Sequence, residues 1–200
     1  MKRFSVSVIA LLYLFAVPVL TQEKESIVHD SDKEAMMKIW QEVATPGEAH
    51  KFLSQSVGTW ETATKAWMDP SQPPEESKGT TTFSMILGGR FLQQEATGEM
   101  MGQAFKGIGI EGYDNYKKKY TMVWIDDSGT AMYTAEGTAS PDGKTITFLG
   151  KMDDPFTGEK DKTVKYVSQM INKDKQVFEI YAMEGGKEMK TMETTYTRKK

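Results

Sequence analysis

The run GTWETATKAWMDPSQPPEESKGTTTFSMILGGRFL, from Gly58 to Leu92, holds two alternating segments separated by a proline-rich turn. In the first, Trp60, Thr62, Thr64, Ala66 and Met68 share one face, and Glu61, Ala63 and Lys65 share the other. Alternation with a period of two is the pattern of a strand with one buried face. Pro70, Pro73 and Pro74 cannot donate to a ladder and mark the turn. The second segment, from about Ser77 to Leu87, ends at Gly88-Gly89, a tight hairpin signal, and Arg90 to Glu99 returns.

The remainder repeats this form. Strands are expected at Ala104–Tyr113, Tyr120–Asp126, Met132–Ala139, Thr145–Met152, Lys162–Ile171, Gln176–Met183 and Lys187–Thr197. Turns rich in Gly, Asp, Asn and Pro join them, as at Ser140-Pro141-Asp142-Gly143. Short strands at even spacing are the all-β signature. Closing them on one another removes the sheet edges, so the expected fold is an up-and-down antiparallel β-barrel of about eight to ten strands.

Upstream of Gly58 the period is helical. Ser31-Asp32-Lys33-Glu34 has capping-box spacing, and Met36, Ile39, Trp40 and Val43 then fall on one face. Such a helix either docks on the barrel wall or serves a partner or a membrane. Thr45-Pro46-Gly47-Glu48 starts a second short helix, with proline at its first position, through Phe52 and Leu53. Lys2 and Arg3 before the apolar run Phe4–Leu20 have the form of an export signal, with an uncleaved anchor as the alternative. The expected organisation is a signal over 1–21, a polar tail with the amphipathic helix over 22–45, and the barrel over 46–200. The expected address is periplasmic or extracellular.

Composition narrows the chemistry. The chain has no cysteine, which excludes disulfides, thiolate catalysis and a lipoprotein anchor. Its formal charge of −3 becomes −5 without Lys2 and Arg3, and no basic cluster suits nucleic acid. The two histidines, His29 and His50, precede the barrel, so neither a histidine triad nor a barrel-histidine haem ligand is available. His50 reads as a surface or capping residue. Gly107-Ile108-Gly109-Ile110-Glu111-Gly112 matches the dinucleotide fingerprint in letters, but it lies within a strand and no helix opens at it. Alternate glycines there bare one face for Trp124, Tyr120 or a ligand to cover. Asp126-Asp127 and Asp153-Asp154 sit in turns without calcium-loop spacing. The plentiful methionines fill a core, line an adaptable pocket or, least in keeping with the rest, bind soft copper.

The segments Gly58-Thr59-Trp60-Glu61, Met85–Leu92, Gly112-Tyr113-Asp114-Asn115, Gly150–Pro155 and Thr195–Lys199 together resemble a bacterial lipocalin-like, calycin-type family catalogued as a domain of unknown function. The resemblance covers Pro46 to Lys200. It implies a barrel with a central cavity and no agreed catalytic residues. It also implies that the tryptophan of Gly-x-Trp, here Trp60 after Gly58, packs at the closed end against an arginine of the last strand, here Arg198.

Function follows as an expectation: an exported barrel that holds a small hydrophobic or amphipathic molecule. Arg90, Gln94, Tyr113, Trp124 and Tyr181 are the candidates to line its cavity, with no catalytic set, metal or cofactor. The alternatives are a calycin-type isomerase or hydrolase working through buried Glu95, Glu179 or Glu193, and a structural or interaction module of the cell envelope.

Overall fold

The computed structural model describes residues 30–155 and 157–200. The stretch read as an export signal therefore lies outside the described residues. Two helices come first, α1 (Asp30–Ala44) and α2 (Glu48–Ser54). Ten strands follow: β1 (Gly58–Ala66), β2 (Glu75–Ile86), β3 (Phe91–Met100), β4 (Gln103–Asp114), β5 (Lys119–Asp126), β6 (Tyr133–Ala139), β7 (Thr145–Met152), β8 (Lys162–Asn172), β9 (Lys175–Glu184) and β10 (Lys187–Arg198). Each strand pairs antiparallel with its neighbour in sequence, and β1 pairs with β10, which closes the barrel. Among the described residues no helix is long and apolar enough to cross a membrane.

The register follows the alternation read from the sequence. On β1, Trp60 is fully buried and Glu61, Ala63 and Lys65 are exposed. Met68 does not continue the inward set: β1 ends at Ala66, and Met68 is exposed. The hairpin between β2 and β3 takes positive φ at Leu87, Gly88 and Gly89 in succession, and glycine supplies two of the three.

The core is asymmetric along the barrel axis. Leu53 of α2 joins Trp60, Phe83, Leu92, Tyr120, Met122, Ile146, Phe148 and Tyr196 in one buried cluster that starts at the end α2 covers and runs on through Ala135, Tyr166 and Val164 toward the other end. Toward the other end the inward-facing residues, among them Thr62, Thr64, Phe105, Trp124, Tyr133 and Met192, keep part of their surface. The methionines divide accordingly. Met122 and Met170 are buried, Met152, Met189 and Met192 are half-buried toward the open end, and Met100, Met101 and Met132 lie exposed.

Closure at the α2 end is carried by one stack. The Arg198 guanidinium lies 4.0 Å above the Trp60 ring. Its three nitrogens donate to the carbonyls of Lys173 (2.7 Å), Val57 (2.6 Å) and Gln55 (2.7 Å). The Trp60 indole N–H donates to Ser56 O at 2.8 Å. The two residues are direct partners across β1 and β10, as the resemblance implied.

The helices differ from expectation in two respects. The described part of α1 begins at Asp30, so Ser31 lies inside it, and Met36, Ile39 and Trp40 are 64, 59 and 63% exposed rather than docked on the wall. From the wall, Asn115 Nδ2 donates to Val43 O (3.0 Å) and Thr45 O (2.8 Å) at the end of α1. At α2 the N-cap is Gly47, with Pro46 just outside. His50 completes the cap: its Nδ1 accepts from the Gly47 N–H at 3.0 Å, a side-chain acceptor that Gly47 itself lacks. His50 is buried, and that burial lowers its pKa.

Truncating Trp60 removes the stopper and strands Arg198, whereas Trp67 is half-buried beyond the end of β1. Trp60→Ala is expected to cost about 3–5 kcal/mol, read as a fall of roughly 10 °C in melting temperature by calorimetry. Trp67→Ala is expected to cost clearly less, and equal small losses would contradict this register.

Candidate functional site

Among the described residues three places bear on a ligand: the barrel end opposite α2, whose inward residues keep part of their surface, a small inner chamber, and a cleft beside α2.

The mouth has two unlike walls. On one side β1 and β10 place Thr62, Thr64, Thr194 and Met192 inward, with Thr64 and Thr194 sharing a hydroxyl–hydroxyl hydrogen bond of 2.9 Å. On the other stand Phe105, Trp124 and Tyr133. Trp124 and Tyr133 are direct neighbours across β5 and β6. Trp124 and Phe105 stack with centroids 6.4 Å apart at 19°. The indole is locked at its polar edge, donating to Asp126 Oδ2 at 2.7 Å.

Glycine makes room for that indole. A Cβ on Gly107 would sit 2.2 Å from Trp124 Cζ2, and one on Gly109 3.2 Å from Trp124 Cε3. The Gly-x-Gly run is thus a bed for Trp124, with no helix beyond it, which removes the dinucleotide reading.

The inner chamber, about 20 Å³, lies deeper, among Ser56, Gln94, Glu111, Ser168, Gln176 and Tyr196. Gln94 Nε2 donates to the Tyr196 hydroxyl at 3.4 Å. Ser56 Oγ donates to Gln176 Oε1 at 3.1 Å, while Gln176 Nε2 is buried with no partner. Glu111 shares its strand face with Gly107 and Gly109. Burial pushes its carboxyl up to about 7. Burial likewise pushes the Tyr196 phenol up to about 12, and the neighbouring Glu111 charge adds to the shift.

The cleft, about 590 Å³, runs between α2 and the strand ends. Tyr113 and Tyr120 line it, packed edge to face at 4.8 Å, and Phe52 adds an apolar wall. Its rim carries Glu48, Lys51, Lys118 and Asp142, charges of both signs.

The sequence-derived candidates divide by location. Gln94 and Trp124 face the barrel interior, and Tyr113 lines the cleft. Arg90 does not enter a cavity: it is exposed, and its Nη1 donates to Leu87 O at 3.1 Å in the hairpin. Tyr181 stands on the outer wall, where its hydroxyl donates to Glu179 at 3.0 Å and the Lys165 ammonium lies 4.2 Å from its ring centroid. Glu179 and Glu193 are on that wall too, both paired with Lys190. Glu95 is outside as well, accepting from Gln93 Nε2 at 2.7 Å. The reason is the phase of alternation: β9 turns Phe178 and Ile180 inward, so Glu179 and Tyr181 face solvent. The enzymatic alternative loses all three of its carboxylates from the interior.

Glu111 and Gln176 were missed as site residues. Their signal was available: the phase that bares Gly107 and Gly109 carries Glu111 to the same face, and Gln176 begins a strand whose inward set is otherwise apolar.

The architecture defines a class: a closed ten-stranded antiparallel barrel stoppered at one end by a Trp–Arg stack and a short helix. The family described as "Protein of unknown function (DUF1579)" matches residues 45–198, and the chain belongs to it. No curated protein matches. Among solved structures, Rv2717c from M. tuberculosis is similar with a TM-score of 0.57 at 15% identity, covering 78% of this chain and all of that one. A redesigned beta barrel gives 0.39 at 14% identity, covering 74% of this chain and 95% of that one. A DUF3598 protein of unknown function from Nostoc punctiforme gives 0.24 at 8%, covering 77% of this chain and all of that one. These likenesses bear on the fold alone, and only the first reaches a similarity that carries weight.

Two outcomes test the site. The folded pKa of Glu111, about 7, lies above its ordinary 4.5. The folded state therefore holds the proton more tightly. Its contribution to stability is full below pH 4.5, falls between 4.5 and 7, and is lost above 7. At about 1.4 kcal/mol per unit the loss is on the order of 3 kcal/mol. Denaturant titrations at both ends of this window should show that loss in the wild type and not in Glu111→Gln. Separately, Gly107→Ala should displace Trp124 and cost about 1–3 kcal/mol, with a shift in tryptophan emission; an unchanged spectrum would contradict the packing described.

Proposed function

We propose that this barrel holds one small amphipathic molecule at its open end, with an apolar part against Phe105, Trp124 and Tyr133 and a hydroxyl or other polar part against Thr62, Thr64 and Thr194. The observation that carries the reading is the asymmetry of burial. Most inward residues in the α2 half are buried, whereas Thr62, Thr64, Phe105, Trp124, Tyr133 and Met192 stay partly accessible although they point into the barrel, with Thr194 and Val164 buried among them. A largely apolar concavity with a few fixed polar groups is the usual form of a small-molecule site.

This narrows the axial space open to a ligand. The chamber beneath Gln94 and Tyr196, at about 20 Å³, is far below the few hundred Å³ of ordinary ligand sites. The ligand therefore sits in the mouth. The cleft beside α2 has the volume, but its rim of mixed charge would leave an apolar ligand largely in water.

The protein acts outside the cytoplasm on this reading. Lys2 and Arg3 before an apolar run support export, and a cysteine-free chain of negative charge suits neither thiolate chemistry nor nucleic acid. Among the described residues Glu111 is the carboxyl of the inner chamber, while Asp126 at the mouth is held by the Trp124 indole and Ser128, so the two do not form an acid–base pair for the enzymatic alternative.

Native mass spectrometry after mild purification should show one additional small mass per chain. Trp124→Ala should weaken its retention by at least about tenfold, the equivalent of 1.4 kcal/mol, and Lys118→Ala at the cleft should leave it unchanged. The reverse pattern would move the site to the cleft. A bare protein that also ignores a panel of fatty acids, sterols and quinones would favour a structural or interaction role.

A further inference from the structure

The mouth leaves the inner chamber unused, and its chemistry is incomplete. Gln176 is 7% exposed, and its Oε1 is satisfied by Ser56 Oγ at 3.1 Å, whereas its Nε2 finds no acceptor. An orphaned buried donor costs free energy comparable to a lost hydrogen bond. Glu111 lines the same chamber and, among the described residues, forms no ion pair. Its register neighbours on β3 and β5, Leu92 and Met122, are uncharged. The titratable group facing it is the Tyr196 phenol from β10, which already takes the Gln94 amide proton at 3.4 Å.

One buried donor without an acceptor, on Gln176, and the half-buried Glu111 carboxyl border a space of about 20 Å³. A water needs roughly 10–15 Å³ on this measure and two to four polar partners. An ammonium or metal cation would satisfy the carboxyl and leave the Gln176 N–H groups facing a positive charge. An anion would oppose Glu111.

We propose that the inner chamber is a binding site for a single water molecule, which accepts a hydrogen bond from Gln176 Nε2 and donates one to the Glu111 carboxyl. The water completes a polar set within the α2 half of the barrel, joining β4 to β9 across it. It also provides the solvation that lets the carboxylate form without a cation. This inference does not rest on the mouth's ligand, and the two fail separately.

A crystal structure of the full chain that resolves ordered water should show one oxygen within hydrogen-bond distance of both groups. The Gln176 side-chain amide should show a cross-relaxation peak to water by NMR. In Gln176→Met the oxygen should be gone and the Glu111 titration midpoint, followed by carboxyl carbon shifts, should rise above the wild-type value. Glu111→Gln keeps a neutral hydrogen-bonding partner and should retain the water. A dry chamber in the wild type, with the Gln176 amide turned so that Nε2 donates to Ser56 or Ser168, would overturn the proposal. So would a Glu111 midpoint that Gln176→Met leaves in place. The wild-type measurements decide the matter even if the variants do not fold.

Discussion

The contact between Arg198 and Trp60 is the constraint on which the rest of the barrel depends. It joins the last strand to the first, and both to the segment that leads in from α2. A guanidinium 4.0 Å above an indole is favourable by itself. Here the same guanidinium also collects the carbonyls of Gln55, Val57 and Lys173, so one side chain satisfies backbone groups of two separated loops. Those bonds are charge-assisted and therefore stronger than neutral ones. Gly58 makes the approach feasible twice over. Its φ of +129° is costly for any residue with a side chain, and a Cβ there would lie 2.8 Å from Arg198 Nη1.

With one end fixed, the distribution of side chains along the axis follows. Ten strands enclose more volume than aliphatic residues fill unaided, so the sealed end uses large rings: Trp60, Phe83, Tyr120, Phe148, Tyr166 and Tyr196. Aromatic groups bury the most surface per ordered torsion. Toward the mouth the fill changes to threonine, glycine and one long indole bedded on two glycines. Within the sealed half lies a polar group of Gln94, Glu111, Gln176 and Tyr196, which an apolar core of the same volume would not need. Keeping a carboxyl there lowers stability at neutral pH, a cost of the kind tolerated at working sites.

Much of the fold was legible in the residues, because strands in a closed barrel are governed by local rules. The period of two gave the inward face of β1, and the Gly, Asp and Pro clusters gave every turn. The Trp60–Arg198 partnership came from resemblance rather than from pattern. The site was less legible, for a reason of phase. Tyr181 and Glu179 sit amid apolar residues and look embedded, yet one step of register separates them from Ile180, which is inside. The same reasoning applied to Gly107 and Gly109 would have placed Glu111 inward. The exposure of α1 had no local signal at all: an amphipathic face shows what a helix could bury, and only tertiary structure shows whether anything covers it.

The central claim is that the barrel is stoppered at one end and open at the other. Acrylamide quenching of two single-tryptophan proteins tests it most directly, one retaining Trp60 and one Trp124, with the other tryptophans replaced by phenylalanine. Trp60, fully buried, should be nearly unquenched, and Trp124, half-buried at the mouth, should be quenched several-fold more strongly. Equal protection of both would mean that the mouth is closed, and equal quenching that the stack does not seal the end it occupies.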